Sequence, residues 1–181
     1  MKSDLKSISM TGRMAYVIMC VEKYCIFRYP NKKWTILSEK MWKATSQNWG
    51  DWPDEYCEVI PDYLLNTDYN KENYEFISER EYCELMDLYK DITTGNEEDI
   101  SDEVNYMINK PYEMAMVYEG TGIGDGEDSF RIIENTEKIL LNNNIELPDF
   151  SCLKFSSVLI KNGWGEPFEG ERFSIIINGI F

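Results

Sequence analysis

The sequence predicts a mainly α protein, a single domain over 1–181, with room for a small β-hairpin at its C-terminal end. Three observations carry this. Apolar residues recur at i, i+3, i+4 and i+7 through several segments, the spacing that lines one face of a helix. Signals for helix starts and stops flank those segments. A β-branched run, by contrast, sits in the tail at Ile175 to Ile177. Hydrophobic residues make up 43% of 181, enough for one sizeable core.

Taken in order, segment 10–29 places Met14, Val17, Ile18, Val21, Tyr24 and Cys25 on one helical face, and Pro30 ends it. Segment 33–45 repeats the pattern with Trp34, Leu37, Met41 and Trp42. Asp51-Trp52-Pro53-Asp54-Glu55 reads as a helix start: a capping residue, a proline in the first turn and acids facing the dipole. That short helix ends near Ile60-Pro61, and a further turn carries Tyr63, Leu64 and Leu65. Residues 66–77 are polar and aromatic, a loop or a poorly formed helix. Ser78-Glu79-Arg80-Glu81 fits a capping box that opens a helix with Tyr82, Leu85, Met86 and Tyr89 on one face. After a loop around Thr94-Gly95-Asn96, the stretch from Asp102 to Glu119 is helical in period, with a restart at Pro111 as one option and Gly120 as its end. Segment 129–143 sets Phe130, Ile133, Ile139 and Leu140 on a last helical face.

The tail is turn-rich at Asn162-Gly163-Trp164-Gly165-Glu166-Pro167, where the glycines permit a tight turn with positive φ. Phe173 to Ile177 reads as a short strand with Lys154 to Ile160 as its partner. The competing reading makes Ile175 to Ile177 the end of a helix.

Composition excludes several function classes. The net charge is −15, which argues against a protein that tracks nucleic-acid phosphates. Histidine is absent, which removes Ser-His and Cys-His catalysis and His-ligated metals. The start, MKSDLKSISM, is polar, and the apolar stretch from Tyr16 to Phe27 is interrupted by Glu22 and Lys23, so neither a signal peptide nor a membrane span is expected. Cys20, Cys25, Cys57, Cys83 and Cys152 form an odd set without CxxC spacing and read as small buried residues of a reduced, cytoplasmic protein.

The charge is unevenly placed. Residues 1–50 carry nine basic and three acidic side chains, whereas 51–137 carry 25 acids against five bases. The densest acids are Glu97-Glu98-Asp99 with Asp102, and Asp125 with Glu127-Asp128. Such a face keeps a protein soluble, and it also steers a basic partner into fast association. Phe, Trp and Tyr number 25, several interleaved with acids: Trp49, Trp52, Tyr56, Tyr63, Tyr69, Tyr74, Tyr106, Tyr112 and Tyr118. Rings of this kind dominate interface hot spots, although most are expected to be half-buried on their own helices.

No self-contained catalytic motif emerges. Gly120-Thr121-Gly122-Ile123-Gly124-Asp125-Gly126 misses the dinucleotide spacing, because Asp125 and Glu127 stand where the third glycine belongs, and no P-loop lysine follows. It reads as a connector between helices. The acidic runs lack the alternating ligands and sixth-position glycine of a calcium loop, and no cysteine cluster suits zinc. With 33 acids, a pair of carboxylates at hydrolytic spacing arises by chance, and no G-x-S-x-G elbow occurs. No catalytic, cofactor or metal residue is therefore assigned. Trp164 is expected to pack as a lid on the core, the alternative being an exposed anchor for a partner.

Trp49-Gly50-Asp51-Trp52 through Glu58-Val59-Ile60-Pro61-Asp62-Tyr63-Leu64-Leu65, together with Ile139-Leu140 through Ile145-Glu146-Leu147-Pro148-Asp149 and Gly163-Trp164-Gly165-Glu166-Pro167-Phe168, resembles the bacterial immunity proteins of polymorphic-toxin systems, contact-dependent growth inhibition included. The resemblance implies a cytoplasmic antitoxin that acts by binding, with a cognate toxin C-terminal domain as partner and no catalytic residues to carry over. Toxins of this kind are often basic nucleases, which an acidic protein occludes. Glu97, Glu98, Asp99, Asp102, Asp125, Glu127 and Asp128 are the expected partner-facing residues, since acidic, glycine-rich loops carry function more often than core helices. Two alternatives remain: an acidic adaptor for another basic protein, and a carboxylate-dependent hydrolase.

Overall fold

The computed structural model describes residues 5–47, 49–90, 92, 101–118, 120, 122–124 and 126–180, with backbone alone at 101–102. Among them run seven α-helices: α1 (Met10–Arg28), α2 (Thr35–Trp42), α3 (Trp52–Cys57), α4 (Pro61–Leu64), α5 (Glu79–Tyr89), α6 (Ser101–Tyr118) and α7 (Glu127–Asn142). Short 3₁₀ turns complete the architecture. The mainly α class expected from periodicity is the class observed.

α1 is the axis of the molecule. Fourteen of its 19 residues are buried, so it is covered on every side rather than along one stripe. α6 and α7 pack against α1 and against each other, and α2 with its following turn covers another side. α3 packs on α2 and α6, while α4 sits between α5 and α6. Ser9 caps α1 by accepting the Gly12 N–H at 3.2 Å. The capping box at Ser78 is formed in both directions, by the Glu81 N–H to Ser78 Oγ and the Ser78 N–H to Glu81 Oε2. Pro111 lies inside α6 without interrupting it.

Much of the aromatic excess is core. Trp52 stacks on Tyr56 with centroids 4.6 Å apart, and both are fully buried. Each brings a polar atom that the fold satisfies: Trp52 Nε1 donates to the Lys40 carbonyl at 2.9 Å, and Tyr56 Oη to the Ile108 carbonyl at 2.8 Å. Tyr89 Oη does the same to Val59 at 2.7 Å. These bonds let large rings, each able to contribute roughly 2–3 kcal/mol by burial, sit inside without stranded donors.

Two buried carboxylates organise irregular segments. Glu22, in the middle of α1, accepts from Ser38 Oγ, Trp42 Nε1 at 2.8 Å, Ser174 Oγ at 2.6 Å and the Ile175 N–H at 2.9 Å. Glu58 accepts the consecutive backbone N–H groups of Glu75, Phe76 and Ile77 at 2.7, 2.9 and 3.0 Å, which fixes the approach to α5. The basic beginning of the chain and its acidic middle also meet directly. Lys40 pairs with Glu55 and Glu81 at 3.1 and 3.3 Å, and Lys43 with Glu55 at 2.5 Å.

The expected C-terminal hairpin is not formed, and no strand occurs among the described residues. Segment 154–160 turns to the beginning of the chain instead: the Ser9 N–H donates to the Ser156 carbonyl at 2.8 Å and the Val158 N–H to that of Ser7 at 3.0 Å, an isolated antiparallel bridge. Segment 170–178 winds through a 3₁₀ turn, Gly170–Phe173, and further turns closed on Glu22. The carboxylate competes for the Ile175 N–H that a strand ladder would have used. The cysteines also divide: Cys20 and Cys25 are buried, Cys57 is half-buried, and Cys83 and Cys152 are exposed, all as free thiols. No described helix is long and apolar enough to cross a membrane.

Candidate functional site

Of the sequence-predicted acids, the structure describes Asp102, Glu127 and Asp128. Glu97, Glu98 and Asp99 lie outside the described residues, as does Asp125, and Asp102 is described by its backbone alone, in the first turn of α6. Glu127 and Asp128 open α7, beyond the other end of α6. Sixteen residue steps of helix, roughly 24 Å, separate Asp102 from Tyr118, whose Oη accepts the Ser129 N–H at 3.0 Å in the first turn of α7. Glu127 is exposed, and Asp128 forms an ion pair with Arg131 at 2.7 Å. Among the described residues no group of three or more Cys, Asp or Glu is placed to hold a metal ion.

The connector between α6 and α7 does more than join them. Gly120, Gly124 and Gly126 all have positive φ, 65°, 57° and 72°. At Gly126 a side chain would collide with the guanidinium of Arg13, 2.6 Å from where its Cβ would stand. Arg13 is buried, donating to Ser129 Oγ at 2.8 Å and the Ile8 carbonyl at 3.1 Å, with its charge 4.0 Å from the Phe130 ring centre. Burial lowers its pKa, and the nearby Tyr118 and Glu127 oppose that shift.

Beside this connector opens a cleft of about 510 Å³, lined by Thr11, Ser46, Gln47, Trp49, Gly50, Tyr118, Gly120, Lys161, Trp164, Gly165 and Pro167. Four separate stretches of chain meet here. Trp164 is half-buried, in the wall of the cleft and not capping the core. Trp49 and Tyr118 both stand nearly perpendicular to it, at 86° and 83° with centroids 5.3 and 6.3 Å away. Gly165, with φ of 80°, lets the backbone pass so close to Ser9 that a Cβ would sit 2.2 Å from Ser9 Oγ.

A second surface is formed by residues 62–87. Asp62, Asp68, Glu72, Glu75, Glu79, Glu84 and Asp87 are exposed there, against Lys71 and Arg80 within the stretch, and Lys32 and Lys33 stand beside Arg80, Glu84 and Asp87. Four tyrosines form a continuous ring cluster: Tyr74 lies at 5.5 Å from Tyr63 and Tyr69 and 5.2 Å from Tyr82, centroid to centroid. Tyr74 is buried and the other three are half-buried, with Leu65 and Phe76 exposed nearby in the chain. Sequence reading marked Tyr63, Tyr69 and Tyr74 but passed over this stretch as a partner face, because its acids are spaced along the chain rather than run together.

A carboxylate pushed upward does exist, yet it is internal. Burial raises the Glu137 carboxyl above its usual range, the hydrogen bond from Tyr16 Oη at 2.8 Å opposing the shift and Glu134 adding to it. Glu137 lies in the α1–α7 contact and not among the cleft's lining residues. Compared with protein-family models, curated proteins and solved structures, the chain matches none.

Proposed function

We propose that this chain is an immunity-type inhibitor, which binds a basic toxin domain and silences it by covering its surface. The observation that carries the reading is the stretch of residues 62–87, where seven exposed acids stand against Lys71 and Arg80 within the stretch and Lys32 and Lys33 beside its end, around half-buried tyrosines and the exposed Leu65 and Phe76. Spread acids accelerate encounter with a basic protein, and desolvated rings and apolar side chains lengthen the life of the complex once formed. An interface of ordinary size, roughly 800 Å² per partner, is wide enough to take in this whole surface. Inhibition by binding needs no catalytic group of its own.

The test is co-expression. The C-terminal domain of the polypeptide encoded immediately upstream is expressed in cells with and without this protein, and survivors are counted. Relief of killing together with co-purification supports the reading. A harmless neighbour, or killing that persists despite a folded and abundant inhibitor, overturns it and leaves the acidic surface to an adaptor role.

A further inference from the structure

We propose that the cleft between Trp49, Tyr118 and Trp164 is a receptor for an arginine side chain. The inference rests on the binding role above, in that the guanidinium belongs to the protein partner. The geometry is that of a half-box: two rings stand nearly perpendicular to the third, at 86° and 83°. The Trp49 and Tyr118 side chains and the Trp164 backbone are each held by a hydrogen bond. Trp49 Nε1 donates to the Ala44 carbonyl at 3.0 Å, Tyr118 Oη accepts the Ser129 N–H at 3.0 Å, and the Trp164 carbonyl accepts from Thr11 Oγ1 at 2.8 Å. Trp49 and Trp164 are half-buried and form the open part of the aromatic wall, with the buried Tyr118 behind them.

Charge decides which side chain belongs there. Aromatic rings attract a cation through their quadrupole, and a guanidinium, planar and weakly hydrated, stacks on them better than an ammonium. The resident cation, Lys161, is paired with Glu166 at 2.6 Å, which offsets its charge. Asp51, next to the lining residue Gly50, is exposed. Ser46 and Gln47 line the cleft and supply acceptor oxygens for guanidinium N–H groups. The volume, about 510 Å³, takes a whole arginine side chain. A chain of net charge −15 favours a cationic visitor over a neutral one at long range.

The experiment uses the full chain and three capped tripeptides, acetyl-Gly-X-Gly-amide with X arginine, its neutral isostere citrulline, or leucine. Trp34, Trp42 and Trp52 are buried, so the two half-exposed indoles, Trp49 and Trp164, report on the cleft through their N–H resonances, assigned with W49F and W164F. Saturable shifts of these two resonances are expected with the arginine peptide, at an affinity at least about fivefold above the citrulline peptide. Trp164→Ala abolishes the shift of the Trp49 resonance while the three buried indole resonances stay in place. Equal binding of citrulline or leucine makes the cleft an apolar slot and overturns the proposal, as does absence of any shift. The two readings fail separately. A protein that takes the arginine peptide but rescues no cells loses the immunity role alone, and one that rescues cells yet ignores arginine loses the cleft assignment alone.

Discussion

Glu22 shows what one residue can hold in this protein. Its carboxylate is fully buried and gathers two serine hydroxyls, an indole and a backbone N–H from two separate stretches of chain, α2 and residues 174–175. Removing it strands those donors and opens a cavity, so Glu22→Ala is expected to cost about 3–5 kcal/mol in urea unfolding. A loss under 1 kcal/mol would mean that water replaces the carboxylate. Glu137 acts in the opposite sense. Its carboxyl is raised by burial, so the folded state binds a proton more readily than the unfolded chain, and this contribution to stability fades as pH rises through the raised value. Glu137→Gln is therefore expected to stabilise the protein at pH 7 and to leave it unchanged well below the usual carboxyl range. Glu55 runs the other way: burial pushes it up, but hydrogen bonds from Lys43 and Lys40 prevail and hold it low. Its contribution is present at neutral pH and is lost as acid protonates it, so Glu55→Gln should destabilise near neutrality and little at low pH, as thermal melts across pH would record.

At the scale of elements, the helices were legible because their signals are local. Periodicity places α1, α5 and α7, and the Ser78–Glu81 box forms as its residue types require. Ser78→Ala should cost about 1 kcal/mol. The tail was not legible, for a physical reason: Ile175 to Ile177 has strand propensity, but a carboxylate some 150 positions earlier takes the Ile175 N–H, with Glu22 and Ile175 separated by 153 residues. Glu58 likewise orders 75–77 from 17 to 19 positions away, a contact that neither helical nor strand periodicity signals. Glu58→Ala is expected to unlatch that loop: hydrogen exchange at Glu75, Phe76 and Ile77 should accelerate while α1 remains protected. Equal protection of all three amides would show that the loop is held by its neighbours instead.

For the whole molecule, acid excess was visible in the sequence and its geography was not. Lys40 and Lys43 pair with Glu55 and Glu81, so the net charge of a segment overstates what it shows to solvent. The cleft was out of reach altogether, because its rings come from positions 49, 118 and 164 and meet only once α1, α6 and the tail are docked. With the partner in hand, replacing Asp68, Glu72 and Glu75 by lysine should slow association about tenfold at low salt and flatten its salt dependence, with the far-ultraviolet circular dichroism unchanged. Unaltered stopped-flow rates would remove residues 62–87 from the encounter surface. The bonds from α1 to the tail have one more consequence. Ser9, Thr11 and Glu22 find partners 147, 153 and 152 residues later in Ser156, Trp164 and Ser174. At the pace of translation those partners arrive roughly 8–30 s after the helix has been made. Throughout that interval the carboxylate of α1 has only the two donors that α2 brings, Ser38 and Trp42, and residues 174–175 complete its set.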